Sequence, residues 1–259
     1  MLKRTEGIVL RTVPFGEADL IVTCLTPDLG LMKFFAKSPR KIRSRFGSSL
    51  EPLTRSKISF WGKEDSPLPR LTQADIIYPF QSIRENLNCF LRVSEMIELT
   101  ISFIPEREGN SGVYTLLLDT LQDIEDNLLP PADQKIGKGG FRNEDLVVNH
   151  YKIKFLEFVG FAPKLDACGR CGNGGYCFYL SHGSILCEAC ASGVDSPIKL
   201  SPAALRFYSD LRTWDPAKIK RIRPSSALLS ELSGMIDSHI RYILSRQLKS
   251  EAFIHALSR

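Results

Sequence analysis

No stretch of this 259-residue chain approaches eighteen continuous apolar residues, so no segment is expected to span a membrane. The N-terminus, Met1-Leu2-Lys3-Arg4-Thr5-Glu6, is basic, but no long apolar run follows it, and no signal peptide is expected. Neither H-E-x-x-H nor G-x-S-x-G occurs, which leaves out the zinc-protease helix and the hydrolase nucleophile elbow. Gly137-Lys138-Gly139-Gly140 is not a Walker loop. The flanking strand and the glycine spacing are missing, and no Ser or Thr follows the lysine. Internal repeats and low-complexity tracts are absent too. With no catalytic constellation in the chain, the expectation is a protein that is not an enzyme.

What is present is ordinary in bulk and uneven in charge. A hydrophobic content of 43% with 24% charged residues suits a globular protein of two or three domains. Residues 1–80 carry 13 basic against 8 acidic side chains, residues 81–198 carry 10 against 16, and residues 199–259 carry 11 against 5. Two basic ends flank an acidic middle, a pattern that suits a polyanionic partner, although basic faces are often only solvated.

Four of the seven cysteines form two pairs, Cys168-Gly169-Arg170-Cys171 and Cys187-Glu188-Ala189-Cys190. Such spacing lets two tight turns close on one tetrahedral ion and argues against a disulfide framework, hence for a reducing, cytoplasmic setting. Four thiolates leave no open position for water, so a structural zinc ion is expected, not a catalytic one. Cys177 is a fifth thiol between the pairs, and His182 sits in a turn beside it, so either can stand in for a ligand. Cys24 and Cys89 read as buried small apolar residues.

Along the chain, the first eighty residues read as five short strands: Gly7–Val13, stopped by Pro14; Ala18–Thr26; Leu31–Lys37; Lys57–Trp61; and Leu71–Tyr78. Five strands without a long helical pattern predict a small barrel of the oligonucleotide-binding (OB) type. Apolar spacing then predicts a helix from Ser82 to about Ile104, with Ser82 and Glu85 as a capping box. Further helices are expected over Val113–Leu129 and Asp145–Gly160, then from Pro202 to Leu211 behind a Ser201 cap, and from Ala227 to near His255. Residues 130–140 read as a connection, and the cysteine pairs as a zinc-ribbon-like hairpin.

The segment from Lys33 to Lys57 has eight basic residues and one acid, Glu51. Lys33, Lys37, Arg40, Lys41, Arg43, Arg45 and Lys57 are candidate phosphate contacts. Phe34 and Phe35 are adjacent on a strand, so one ring faces the barrel and the other faces out, where it can stack an unpaired base. Both rings filling core is the bland alternative. A second basic surface, Arg241, Arg246 and Lys249 with Lys218, Lys220, Arg221 and Arg223 before it, suits more DNA or an acidic partner peptide.

With these pieces in place, the chain resembles the bacterial recombination mediator family RecO over nearly its whole length. The resemblance rests on Gly7-Ile8-Val9-Leu10, Gly16-Glu17-Ala18-Asp19-Leu20, Leu25-Thr26-Pro27, Gly30, Ala36-Lys37, Arg45-Phe46-Gly47, Leu50-Glu51-Pro52 and Leu71-Thr72-Gln73-Ala74. Phe158-Val159-Gly160-Phe161-Ala162-Pro163 and Leu248-Lys249-Ser250 extend it. It implies a multi-domain α+β protein: an OB-fold barrel over 1–80, then an α-helical domain over 81–259 with a zinc module at 165–195, held by Cys168, Cys171, Cys187 and Cys190. The resemblance also implies non-enzymatic work in DNA repair and recombination. Such a protein binds single- and double-stranded DNA, anneals complementary strands and replaces single-stranded-DNA-binding protein by recombinase. The implied partners are RecR, the acidic C-terminal tail of the single-stranded-DNA-binding protein and, for some members, RecF. Some members lack the full cysteine set, so the metal is expected to support the fold. The rival class is a zinc-containing OB-fold enzyme that processes nucleic acid.

Overall fold

A computed structural model describes residues 1–39, 44–62, 66–128, 144–193, 196–219 and 221–257. The predicted connection at 130–140 and the loop residues Arg40, Lys41 and Arg43 lie outside the described residues, as does Lys220. The chain divides into two compact units, residues 1–93 with 99–141, and residues 94–98 with 142–259. Among the described residues no helix is long and apolar enough to cross a membrane.

The first unit is built on five strands, β1 (Leu2–Phe15), β2 (Asp19–Thr26), β3 (Gly30–Ala36), β4 (Arg55–Trp61) and β5 (Arg70–Tyr78). They pair in the order β1-β2-β3-β5-β4, and β1 pairs again with β4 to close a barrel. That order is the OB topology. The long β1 serves two seams: residues 2–8 pair with β4 and residues 8–15 with β2, with a bulge between Val9 and Arg11 that turns the strand from one to the other. Pro14 therefore does not end β1. Opposite Leu20 the strand has a partner on one side only, where a missing N–H costs no ladder bond. The β3–β5 seam is a single parallel pair, Phe35 with Arg70, whose Phe35 N–H donates to Pro69 O at 2.9 Å.

Alternation decides what fills the barrel. Val22, Cys24, Phe34, Ile58 and Leu71 are fully buried inside it, and the Phe34 and Phe60 rings meet at 5.0 Å. Burying a side chain of this kind contributes about 1.5–3 kcal/mol. Burial also pushes the Cys24 thiol well above its ordinary value, in keeping with a small core residue.

The helix expected from Ser82 is instead two. The first, α1 (Gln81–Glu85), is followed by α2 (Leu87–Phe103), whose cap is Asn86; its side chain accepts from Cys89 N at 3.1 Å. Ser82 is not the cap, because Phe80 enters α1 with φ 43°. The free N–H groups of Ser82 and Ile83 donate to Glu125 at 3.1 and 3.0 Å. Glu125 lies on α3 (Ser111–Leu128) and is 3% exposed, a buried carboxylate that satisfies a helix start from 42 residues away.

In the second unit α4 (Glu144–Phe158), α5 (Pro202–Thr213) and α7 (Ser226–Leu244) pack on one another. Ser201 caps α5 as expected, accepting from Ala204 N at 3.1 Å. A short α6 (Pro216–Ile219) was not foreseen, and the last helix breaks at Ser245, φ 54°, before α8 (Lys249–Leu257). The break follows from Glu98, which accepts from the first backbone N–H groups of α8, Lys249 at 3.0 Å and Ser250 at 2.8 Å. A three-stranded sheet in the order β7-β6-β8, from β6 (Cys177–Tyr179), β7 (Ser184–Leu186) and β8 (Ile198–Lys199), carries the cysteine turns.

Candidate metal centre and nucleic-acid interface

The two cysteine pairs lie at the base of the β6–β7 hairpin. In the first turn, Gly172 N–H donates to Cys168 O at 2.9 Å and Cys168 N–H to Asn173 O at 2.7 Å; in the second, Cys190 N–H donates to Cys187 O at 3.0 Å. Glycine is required twice. Gly172 has φ 78°, and a Cβ at Gly169 would come within 2.8 Å of the Ser184 side chain.

These turns bring the sulfurs of Cys168, Cys171, Cys187 and Cys190 within 4.8 Å of one another, with none in a disulfide. Cys171 and Cys187 are 3.5 Å apart. Around a tetrahedral ion with metal–sulfur bonds of about 2.3 Å the corresponding edge is roughly 3.8 Å, so the donor set fits a metal of this kind. Electrostatics favours a cation. Backbone N–H groups of Cys187 and Cys171 draw the Cys168 thiol down to about 6 against a smaller opposing effect of burial. Hydrogen bonds with Cys171 and Cys187, then burial, push Cys190 up to about 12. The Cys168 sulfur sheds its proton readily, while Cys171 and Cys190 resist a second negative charge that a divalent ion would offset.

The two alternative ligands stand apart from this set. His182 is exposed, and its Nε2 accepts from Arg170 Nη2 at 2.9 Å, while Arg170 Nη1 donates to Cys190 O. Cys177 is half-buried against Cys168, Tyr179 and Leu186.

At the barrel, Phe34 faces the core and Phe35 faces outward, half-buried, edge-on to Phe15 with centroids 5.9 Å apart. Lys37 and Lys57 are exposed. Lys33 is ion-paired with Glu106, and Arg45 lies over the Phe46 ring at 4.9 Å, its Nη2 also reaching Leu71 O. The structure thus holds two of the candidate cations in contacts of their own. Three exposed rings of the barrel strands were not singled out in the sequence as contacts, Phe15 (52%), Trp61 (62%) and Tyr78 (39%). The signal for Trp61 was available: in Lys57-Ile58-Ser59-Phe60-Trp61, Ile58 and Phe60 alternate inward, so Trp61 faces out.

Near the C-terminus, Arg241 pairs with Glu251 at 2.8 Å and Arg246 with Glu98 at 3.4 Å, while Lys249 is tied to Glu98 through its backbone. Lys218 sits 3.9 Å over the Trp214 ring.

An OB barrel followed by a helical unit that carries a four-cysteine cluster defines the class, a multi-domain α+β protein with a metal-site module set in its helical part. Residues 1–80 match the model of the recombination protein O N-terminal domain and residues 84–252 that of its C-terminal domain, so the chain belongs to the RecO family. It is similar to the DNA repair protein RecO of Thermodesulfovibrio yellowstonii, 40% identical over 246 residues, 93% of this chain and 92% of that protein. It is also similar to proteins of the same name from Dehalococcoides mccartyi (29% identical, 99% of this chain and 96% of that protein) and Symbiobacterium thermophilum (28%, 99% and 98%).

Proposed function

We propose that the protein is a non-enzymatic recombination mediator of the cytoplasm. It binds single- and double-stranded DNA, anneals complementary strands and, with RecR and in some settings RecF, helps replace single-stranded-DNA-binding protein by recombinase. Membership of the RecO family supports this reading. The observation that carries it is the opposed pair Phe34 and Phe35, one ring filling the barrel and the next turned out beside a cation-rich segment. Residues 1–80 are proposed as the nucleic-acid-binding domain, with Lys33, Phe35, Lys37, Arg40, Lys41, Arg43, Arg45 and Lys57 at the contact. The cations neutralise phosphates without reading bases. Residues 81–259 are proposed as a helical domain with the module at 165–195 stapled by zinc on Cys168, Cys171, Cys187 and Cys190.

The surface of Arg241, Arg246 and Lys249 is proposed to take the acidic tail of the single-stranded-DNA-binding protein or more DNA. Either ligand competes there with Glu251 and Glu98, which already face the two arginines. The test is annealing of complementary strands coated with single-stranded-DNA-binding protein, with and without its C-terminal tail. Annealing that depends on the tail is expected. Turnover of the nucleic acid itself would point to a processing enzyme.

A further inference from the structure

Strand register places outward rings of the barrel in one line. Leu2 pairs with Trp61, Trp61 with Arg70, Arg70 with Phe35, Phe35 with Ile21 and Ile21 with Val13. Directly paired residues share a face of a sheet, so these side chains form an outward row that crosses all five strands. Every one is exposed or half-buried, whereas their neighbours Phe34, Phe60 and Leu71 face the core. Phe15 extends the row edge-on to Phe35. Neighbouring strands are about 4.8 Å apart, so Trp61 stands about 10 Å from Phe35 with Arg70 between them.

The chemistry of the row selects its occupant. Three rings that bury nothing of their own barrel core mark an interaction surface. A cation lies within the row, and Arg4, Arg11 and Lys37 are exposed around it. Of the acids near the hairpin between β1 and β2, Asp19 is occupied by Ser38 N–H at 2.7 Å. A purely apolar partner surface would leave Arg70 desolvated and unpaired. Alternating flat faces and positive charge suit a strand whose bases are exposed and whose phosphates recur between them. Duplex DNA hides its base faces and cannot use the rings.

We infer that the outward row Phe15, Phe35, Arg70 and Trp61 is a stacking platform for unpaired nucleotides, Arg70 meeting a phosphate between two stacked bases. The inference rests on the proposed DNA-binding role of the barrel and adds to it the part that tells unpaired from paired strands. Bases laid flat on the rings keep their pairing edges free, as annealing requires.

The chain has two tryptophans, so Trp214→Phe leaves Trp61 as the sole indole reporter. That protein is titrated with an oligothymidylate, with an abasic strand of equal length and charge, and with a duplex, anisotropy reporting binding and fluorescence reporting stacking. Oligothymidylate is expected to quench Trp61 and the abasic strand to bind without quenching. Trp61→Ala and Phe15→Ala are each expected to weaken oligothymidylate binding roughly 5- to 150-fold. They leave abasic and duplex binding unchanged, and Trp61→Phe restores the affinity. Arg70→Ala weakens the abasic strand too. Both rings are exposed, so unchanged melting checks the fold. Oligothymidylate that binds by anisotropy but leaves Trp61 unquenched, or binds both alanine variants like wild type, overturns the platform and spares the DNA-binding reading. Failure to bind any of the three overturns both.

Discussion

The ammonium of Lys152 on α4 meets the carboxylate of Glu95 on α2 where neither side chain has more than 4% of its surface exposed. Asp237 on α7 completes the arrangement at 2.6 Å. Burial alone would pull the lysine below its ordinary value, but the two carboxylates outweigh it and raise it, so the group stays charged. Removing the cation leaves Glu95 buried against an unneutralised Asp237. Lys152→Met is expected to lower stability by about 3–5 kcal/mol, read from urea unfolding. A variant within about 0.5 kcal/mol of wild type would show that the ion pair is dispensable.

Glu98 gives the second unit a pH-dependent latch. Burial works to raise its carboxyl, but N–H groups of Ser250 and Lys249, the Ser250 hydroxyl and Arg246 together hold it below its ordinary value of 4.5. A lowered folded-state value means its stabilisation is complete above pH 4.5 and is lost as pH falls through that lower value. Glu98→Gln is expected to cost about 1–2 kcal/mol at pH 7. The gap from wild type should narrow as pH falls below 4.5. A gap independent of pH, in urea titrations of both proteins, would remove the carboxylate charge from the account.

Metal removal separates staple from working surface. One zinc per chain is expected by elemental analysis, and Cys187→Ser should lose it and melt at lower temperature. Oligonucleotide affinity, measured well below both melting points, should change little. A Cys187→Ser variant that melted like wild type and lost DNA binding would move the metal to the centre of function.

Salt dependence tests the cationic segment. If roughly five single-strand phosphates are neutralised, log K falls against log salt with a slope of about −3.5. Changing Arg40, Lys41, Arg43 and Arg45 together to Ala should weaken binding and flatten that slope. Lys33 is already paired, so Glu106→Gln should steepen it by about 0.7, as one more cation is freed. An unchanged slope in the fourfold variant places the contact elsewhere.

Much of the architecture was legible because it is periodic. Alternation in Val22 to Cys24 and in Ile58 to Phe60 names a barrel face, and two C-x-x-C spacings name a four-sulfur cluster. The capping box at Ser82 was misread for a physical reason: the local pattern was present, but a left-handed Phe80 turned the chain and Glu125 took over the acceptor role. The continuous stripe from Leu228 to Phe253 likewise concealed the break at Ser245, because apolar spacing survives a reversal that a carboxylate from another helix can hold in place.

The chain alone determined its strand faces, its thiol spacing and its distribution of charge, since each is carried by residues a few positions apart. Tertiary structure decided which charges are spent: Lys33 on Glu106, Lys152 on Glu95 and Asp237, and Arg246 on Glu98. It also decided that Phe35, Arg70 and Trp61 stand in one row. All of these partners except the cross-strand pair Trp61 and Arg70 are 35 to 148 positions apart along the chain, a separation at which periodicity carries no information and only strand register and helix packing do.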